Sequence, residues 1–206
     1  MENTDLNTEY KLFAFMSKAR KGKMFFIEQF QKLAENTAIR KALQRLTESG
    51  KIVRVAQGIY VIPRVSELVG TLIPRAEEVI KVIAKKDRAR IIPTGVTALN
   101  LLGLSTQVPM KLVYLTDGAP RTIKIGKQTV KLVKASPKNL SCKGEISSLI
   151  IQALKTIGKD KLTTVEIEKI FAHLQNEKQS NIAHDMKLAP YWIHQIMKQA
   201  LSTPNE

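Results

Sequence analysis

Cysteine is almost absent: Cys142 is the single one among 206 residues. No internal disulfide can form, and no cysteine-based metal site is indicated. Histidine is scarce too. His173, His184 and His194 all fall towards the C-terminus, without metal-ligand spacing. Neither a metal nor a cofactor is expected. Aromatics make up only 5% of the chain and are not interleaved with the basic residues. That argues against a platform that stacks single-stranded DNA or RNA bases. No apolar run approaches the about 18 residues of a membrane span. The start, MENTDLNTEY, lacks the basic opening and apolar core of a signal peptide. No membrane association is expected, and the cytoplasm is the expected location. Glycine-rich phosphate loops are missing, since Gly118 and Gly126 stand alone.

Negative charge is the last scarcity. The chain has 33 Lys/Arg against 18 Asp/Glu, a formal net charge of +15. Such an excess favours polyanions, nucleic acid above all, through release of condensed counterions. Residues 1–64 carry 12 Lys/Arg and 6 Asp/Glu, a net +6, which leaves +9 for the remainder. The basic character therefore belongs to both halves. A hydrophobic content of 44% suits a folded chain with room for one or two domains.

The most informative stretch runs from Asn36 to Arg64, NTAIRKALQRLTESGKIVRVAQGIYVIPR. Ile39, Ala42, Leu43 and Leu46 recur at i, i+3, i+4 and i+7, which predicts an amphipathic helix. Thr37, Arg40, Lys41, Gln44 and Glu48 fall on its opposite face. Asn36 is expected as the N-cap. Gly50 stands where a left-handed residue ends a helix. Two short β-branched runs follow, Lys51 to Val55 and Ile59 to Ile62, and Gly58 supplies the positive φ of a tight hairpin. Upstream, a helix over Thr8 to Ala19, a strand at Met24 to Phe26 and a helix over Ile27 to Ala34 are predicted. Helix, strand, helix, helix, hairpin is the order of a winged helix-turn-helix domain. The expected partner is double-stranded DNA, with the helix in the major groove. Arg40 or Gln44 would read bases. Lys23, Lys41, Lys51 and Arg54 would mainly hold phosphates, and Arg45 lies on the same basic helix. An ordinary solvated helix beside a hairpin gives a similar pattern.

Val65 to Ile73 reads as a linker, and the expected domains are residues 1–66 and 67–206. Pro74 suits the first turn of a helix that reaches Lys86. A strand at Ala89 to Ile92, a helix over Val96 to Leu102 with Thr94 as its cap, and a strand at Lys111 to Thr116 follow. Arg121 to Ile125 and Thr129 to Lys134 form a second hairpin signal. A helical tail, about residues 144–202, is read as Glu145–Ile157, Thr164–Gln175, Ile182–Leu188 and Tyr191–Leu201. The overall fold class is thus α+β: a winged helix-turn-helix domain, then a mixed α/β domain with a helical C-terminal tail. From Lys111 to Lys143 eight basic residues face Asp117 alone. Arg121, Lys124, Lys127, Lys131 and Lys134 are a candidate second basic surface. Lysine also guards exposed edge strands, which gives the same composition.

A second pattern, RIIPTGVTALNLLGLSTQVPMKLVYLTDG, spans Arg90 to Gly118. With GKIVRVAQGIYVIPR upstream, it resembles the AbiEi-like antitoxins of bacterial type IV toxin–antitoxin systems, in a short, transcriptional-regulator-like branch. The resemblance runs from about Lys11 to Lys134 and, more faintly, to Leu188–Ile193. It implies a winged helix that binds and represses its own promoter, with DNA-reading roles for Thr37, Arg40, Lys41, Gln44 and Arg54. It also implies a second domain that counteracts a neighbouring nucleotidyltransferase-like toxin, without need of a stable complex. Pro93, Gly95, Leu99, Gly103, Gln107, Pro109 and Asp117 mark the motif of that domain. On physical grounds Thr97, Asn100 and Gln107 can satisfy backbone groups there, so the motif can equally record a fold.

Catalysis is not expected. A metal-dependent nuclease would draw on Asp117, a later acid such as Glu145 and nearby lysines, but their spacing is not diagnostic. A plain transcription factor with a sensing second domain is the other alternative.

Overall fold

The computed structural model describes residues 2–202. The chain is mixed α/β and ends in a helical tail. By its internal contacts it divides into two units, residues 1–83 with 123–126, and residues 84–122 with 127–206. The sequence set the division at 66/67, whereas residues 67–83 and 123–126 go with the first unit.

In the first unit, α1 (Glu2–Ser17) begins earlier than the predicted Thr8 and stops short of Ala19. β1 (Met24–Phe26) follows as expected. The predicted helix over Ile27 to Ala34 is absent; only one 3-10 turn, Ile27–Phe30, forms. The cause is local. The Ile27 N–H donates to the Gly58 carbonyl (2.9 Å), and the next turns close by i→i−3 bonds, Gln31 to Glu28 and Leu33 to Phe30. Such tight bonding propagates poorly. α2 (Asn36–Glu48) buries Ile39, Ala42, Leu43 and Leu46, the predicted stripe. Its N-cap is Glu35, not Asn36, and no side chain caps it. Gly50 takes φ +72° just beyond its end.

The hairpin consists of β2 (Val53–Ala56) and β3 (Ile59–Val61). Strand order is β1-β3-β2, antiparallel, with a bulge between Arg54 and Ala56. Leu12 and Met16 of α1, the α2 stripe, Phe25, Phe30 and Tyr60 make one core. The rings of Phe15 and Phe30 meet edge to face at 5.8 Å between centroids. The predicted linker contains a further small hairpin, β4 (Arg64–Ser66) with β5 (Gly70–Leu72). Its side chains are largely exposed, so it lacks the apolar alternation that marks a half-buried strand. α3 (Ala76–Lys86) starts two residues after Pro74. The Glu78 carboxylate accepts the Arg75 N–H (3.0 Å) at its entry.

In the second unit, β6 (Ile91–Thr94) includes the residue predicted as a helix cap. Thr94 instead donates its hydroxyl to Gln152 (3.2 Å), and Gly95 precedes α4 (Val96–Leu101). β7 (Lys111–Thr116) and β8 (Arg121–Ile125, of which residues 123–125 go with the first unit) have their expected bounds, and β9 runs from Gln128 to Lys134. Sheet order is β6-β7-β9-β8, with β7 antiparallel to β6 and parallel to β9. After the short α5 (Pro137–Leu140) come α6 (Glu145–Ile157), α7 (Thr164–Leu174), α8 (Gln179–Asp185) and α9 (Tyr191–Ser202). Ile150, Leu154, Ile170, Leu174, Ile193 and Met197 form their shared core, with Ala98 and Leu102 of the α4 segment.

The tail is fastened at the start of α6 by two carboxylates. Asp185 is fully buried. It accepts the N–H groups of Lys143 and Gly144, each at 2.8 Å, the Ser147 hydroxyl, and Nδ1–H of His184 at 2.8 Å. Burial pushes its pKa up, but these bonds, Ser147 first, more than offset that and hold the carboxyl below its usual range. Glu177 accepts the Ile146 N–H (3.0 Å). A side chain at Gly144 would run into the Glu177 carboxylate and the Ser147 hydroxyl and would force them to shift.

Candidate nucleic-acid interface

Three of the predicted DNA-binding residues meet in one place. The helix period brings Arg40 and Gln44, four residues apart, to the side of α2 that faces the hairpin. Strand β2 contributes Arg54. Together they line an open groove of about 610 Å³ between α2 and the hairpin. Arg40 and Arg54 are exposed, and among the described residues neither side chain has a hydrogen bond or an ion pair. Their guanidinium groups are thus available to bidentate acceptors.

The remaining predicted residues lie elsewhere. Thr37, Lys41 and Arg45 are exposed on α2 outside the groove. Lys23 sits over the Phe25 ring, 5.4 Å from its centroid. Lys51 is drawn to α1: its Nζ is 3.9 Å from Glu9 and 5.9 Å from the Phe13 centroid. Lys51 is not among the residues that line the groove.

The groove also has walls that sequence reasoning did not assign. Thr47 and Glu48, one turn beyond Gln44, line it, with Ile27, Gln57 and Tyr60. The first two were accessible by spacing, because they lie at i+3 and i+4 from Gln44. Ile27 and Tyr60 were not, since their place depends on how β1 and β3 pair. Gln44 is itself engaged, its Nε2 donating to Glu48 Oε1 at 2.8 Å.

The candidate second basic surface is partly committed to internal bonds. Arg121 is ion-paired with Asp87. Lys134 donates to the Asp117 carbonyl oxygen at 2.5 Å. Lys124, Lys127 and Lys131 are exposed.

The central motif has structural duties. The Asp117 carboxylate accepts both the backbone N–H of Arg90 (2.7 Å) and its Nε (2.9 Å). The Arg90 side chain holds the Asp117 carboxyl below its ordinary range. Asn100 donates to the carbonyls of Gln107 (3.0 Å) and Ser105 (3.4 Å), and Thr97 accepts the Val113 N–H (2.9 Å). Gln107 takes part through its backbone and not, as anticipated, its side chain. The histidines are occupied too: His173 Nε2 meets the Leu102 carbonyl (3.0 Å), His194 Nδ1 the Met186 carbonyl (3.1 Å), and His184 bonds Asp185. Among the described residues no group of three or more His, Cys, Asp or Glu could hold a metal ion. No helix among them is long and apolar enough to cross a membrane.

Comparison with curated proteins finds no match. Residues 11–182, most of the chain, match the model of one protein family. The protein is therefore a member of DUF6088, a family of unknown function.

Proposed function

We propose that residues 1–66 are a winged helix-turn-helix domain and that the protein is a sequence-specific, cytoplasmic regulator that binds double-stranded DNA at its own promoter. One observation carries this reading: Arg40, Gln44 and Arg54, from helix and hairpin, line a single open groove on a chain of net charge +15. In a winged helix, α2 enters the major groove and the hairpin lies along the adjacent backbone. Arg40 and Gln44 then reach base edges, while Arg54 and Lys41 hold phosphates. Lys51 lies near Glu9 of α1 and does not line the groove, so its expected phosphate contact contributes less than those of Arg54 and Lys41.

We further propose that the protein is the antitoxin of a type IV cassette, counteracting a nucleotidyltransferase-like toxin encoded beside it. This rests on the resemblance over Lys11 to Lys134. The bonding of Asn100, Thr97 and Asp117 accounts for part of the second motif as fold maintenance.

A reporter gene driven by the DNA upstream of the coding sequence tests the first proposal. Expression of the protein is expected to repress it, and the double variant R40A/R54A to release it. Equal reporter output with and without the protein overturns the reading. Co-expression with the product of the adjacent reading frame tests the second: growth arrest by that product, relieved by this protein, is the expected result. Arrest that persists overturns it.

A further inference from the structure

An acidic side chain in a basic groove needs a reason. Glu48 lines the same groove as Arg40 and Arg54, where a lone carboxylate repels phosphate. Its partner supplies the reason. Gln44 and Glu48 are one helical turn apart, and Gln44 Nε2 donates to Glu48 Oε1 at 2.8 Å. A carboxylate only accepts, so the nitrogen end of the amide must be the end that faces it. The carbonyl oxygen and the second N–H of Gln44 stay unpaired among the described residues.

We infer that Glu48 is a positioning residue for a base contact by Gln44, and that the DNA site of this protein carries an adenine where Gln44 meets the major groove. The inference rests on the DNA-binding reading above and deepens it. In the major groove adenine presents an N7 acceptor beside an N6 donor. A glutamine amide matches both at once, giving its N–H to N7 and taking a hydrogen from N6. Guanine offers two acceptors, N7 and O6, and its O6 opposes the amide oxygen. Thymine offers one acceptor and a methyl group. With Nε2 bonded to Glu48, the amide is biased towards this orientation before DNA arrives. A flexible side chain ordered in advance loses less freedom on binding. The same bond gives the Glu48 charge a donor when water leaves the interface.

Selection from a randomised duplex pool, followed by anisotropy titration of the selected duplex and of its single-base-pair variants, tests this. The readout is a ratio of Kd values, which a partly unfolded variant leaves unchanged because all duplexes lose active protein equally. For the wild type, exchange of one A·T pair should weaken binding about tenfold or more, the range of a bidentate contact. Q44A should bring that ratio to about one while other positions keep theirs. E48A should lower the same ratio, and E48Q, which keeps an accepting oxygen, should restore most of it. A ratio unchanged in Q44A overturns the base contact. A ratio unchanged in E48A overturns the positioning role. A cytosine preference that is lost in E48A and kept in Q44A means that Glu48 reads a base itself and overturns the inference. No enriched sequence for the wild type removes the DNA-binding reading and this inference together.

Discussion

At the residue scale, basic side chains divide into those without an internal partner and those already engaged. Arg40 lines the groove without an internal partner, so R40A is expected to cost about 1–3 kcal/mol on the cognate duplex and to relax specificity there. Competition between cognate and scrambled duplexes measures it; an equal loss on both identifies a phosphate contact instead. Lys41 is exposed on the same helix, and K41A is expected to flatten the slope of log affinity against log salt by about one. K51A should leave that slope unchanged, because Glu9 and the Phe13 ring hold Lys51 at α1. Arg40, Gln44 and Arg54 were legible in the sequence because helical period and strand alternation are local rules. The commitment of Lys51 was not, because Glu9 is some forty residues away in sequence and no periodicity links the two. Glu48 was visible as an outward residue, but its bond to Gln44 gains meaning only beside the hairpin.

At the scale of elements, the long periodic segments were the readable ones. The stripe of α2, the helix α6 and the strands β7 and β8 stand where their patterns put them. Two short elements were not readable. The segment after β1 has the composition of a helix, yet its first N–H is taken by the Gly58 carbonyl and only a 3-10 turn forms. The small hairpin of β4 and β5 has exposed side chains and so carries no buried face to betray it. Gly58 joins these elements: it has φ +71°, and a Cβ there would sit 3.4 Å from Ile27 Cγ2. G58A is expected to cost about 1–2 kcal/mol, the strain of a left-handed non-glycine residue, and to weaken DNA binding by shifting Arg54. Denaturant midpoint and duplex affinity, measured on the same sample, check the pair. A variant that loses neither contradicts the placement of the turn.

The tail gives a second element-scale prediction. A carboxyl held below its usual range in the folded state adds stability above its unfolded pKa of about 4 and loses it as pH falls through the folded value. Asp185 and Glu177 are both of this kind. The helical tail should therefore weaken below about pH 4 and not on the alkaline side. D185N removes the charge and one accepting oxygen, so it is expected to cost about 1.5–3 kcal/mol near neutrality, with a shallower fall in acid. Denaturant titrations at pH 7 and pH 3 measure both. A D185N protein as stable as the wild type at pH 7 contradicts the fastening role.

At the scale of the whole molecule, the net charge of +15 sets a background affinity for any duplex, and the groove must supply what exceeds it. The charge is spread over both units, so affinity alone does not identify specific binding; discrimination between sequences does. Fluorescence anisotropy against the DNA upstream of the gene and against a scrambled duplex, each at two salt concentrations, tests this most directly. The native duplex is expected to bind about a hundredfold or more tighter, about 2.7 kcal/mol, and to keep that lead as salt rises. Equal binding of both duplexes, fading together with salt, would contradict it.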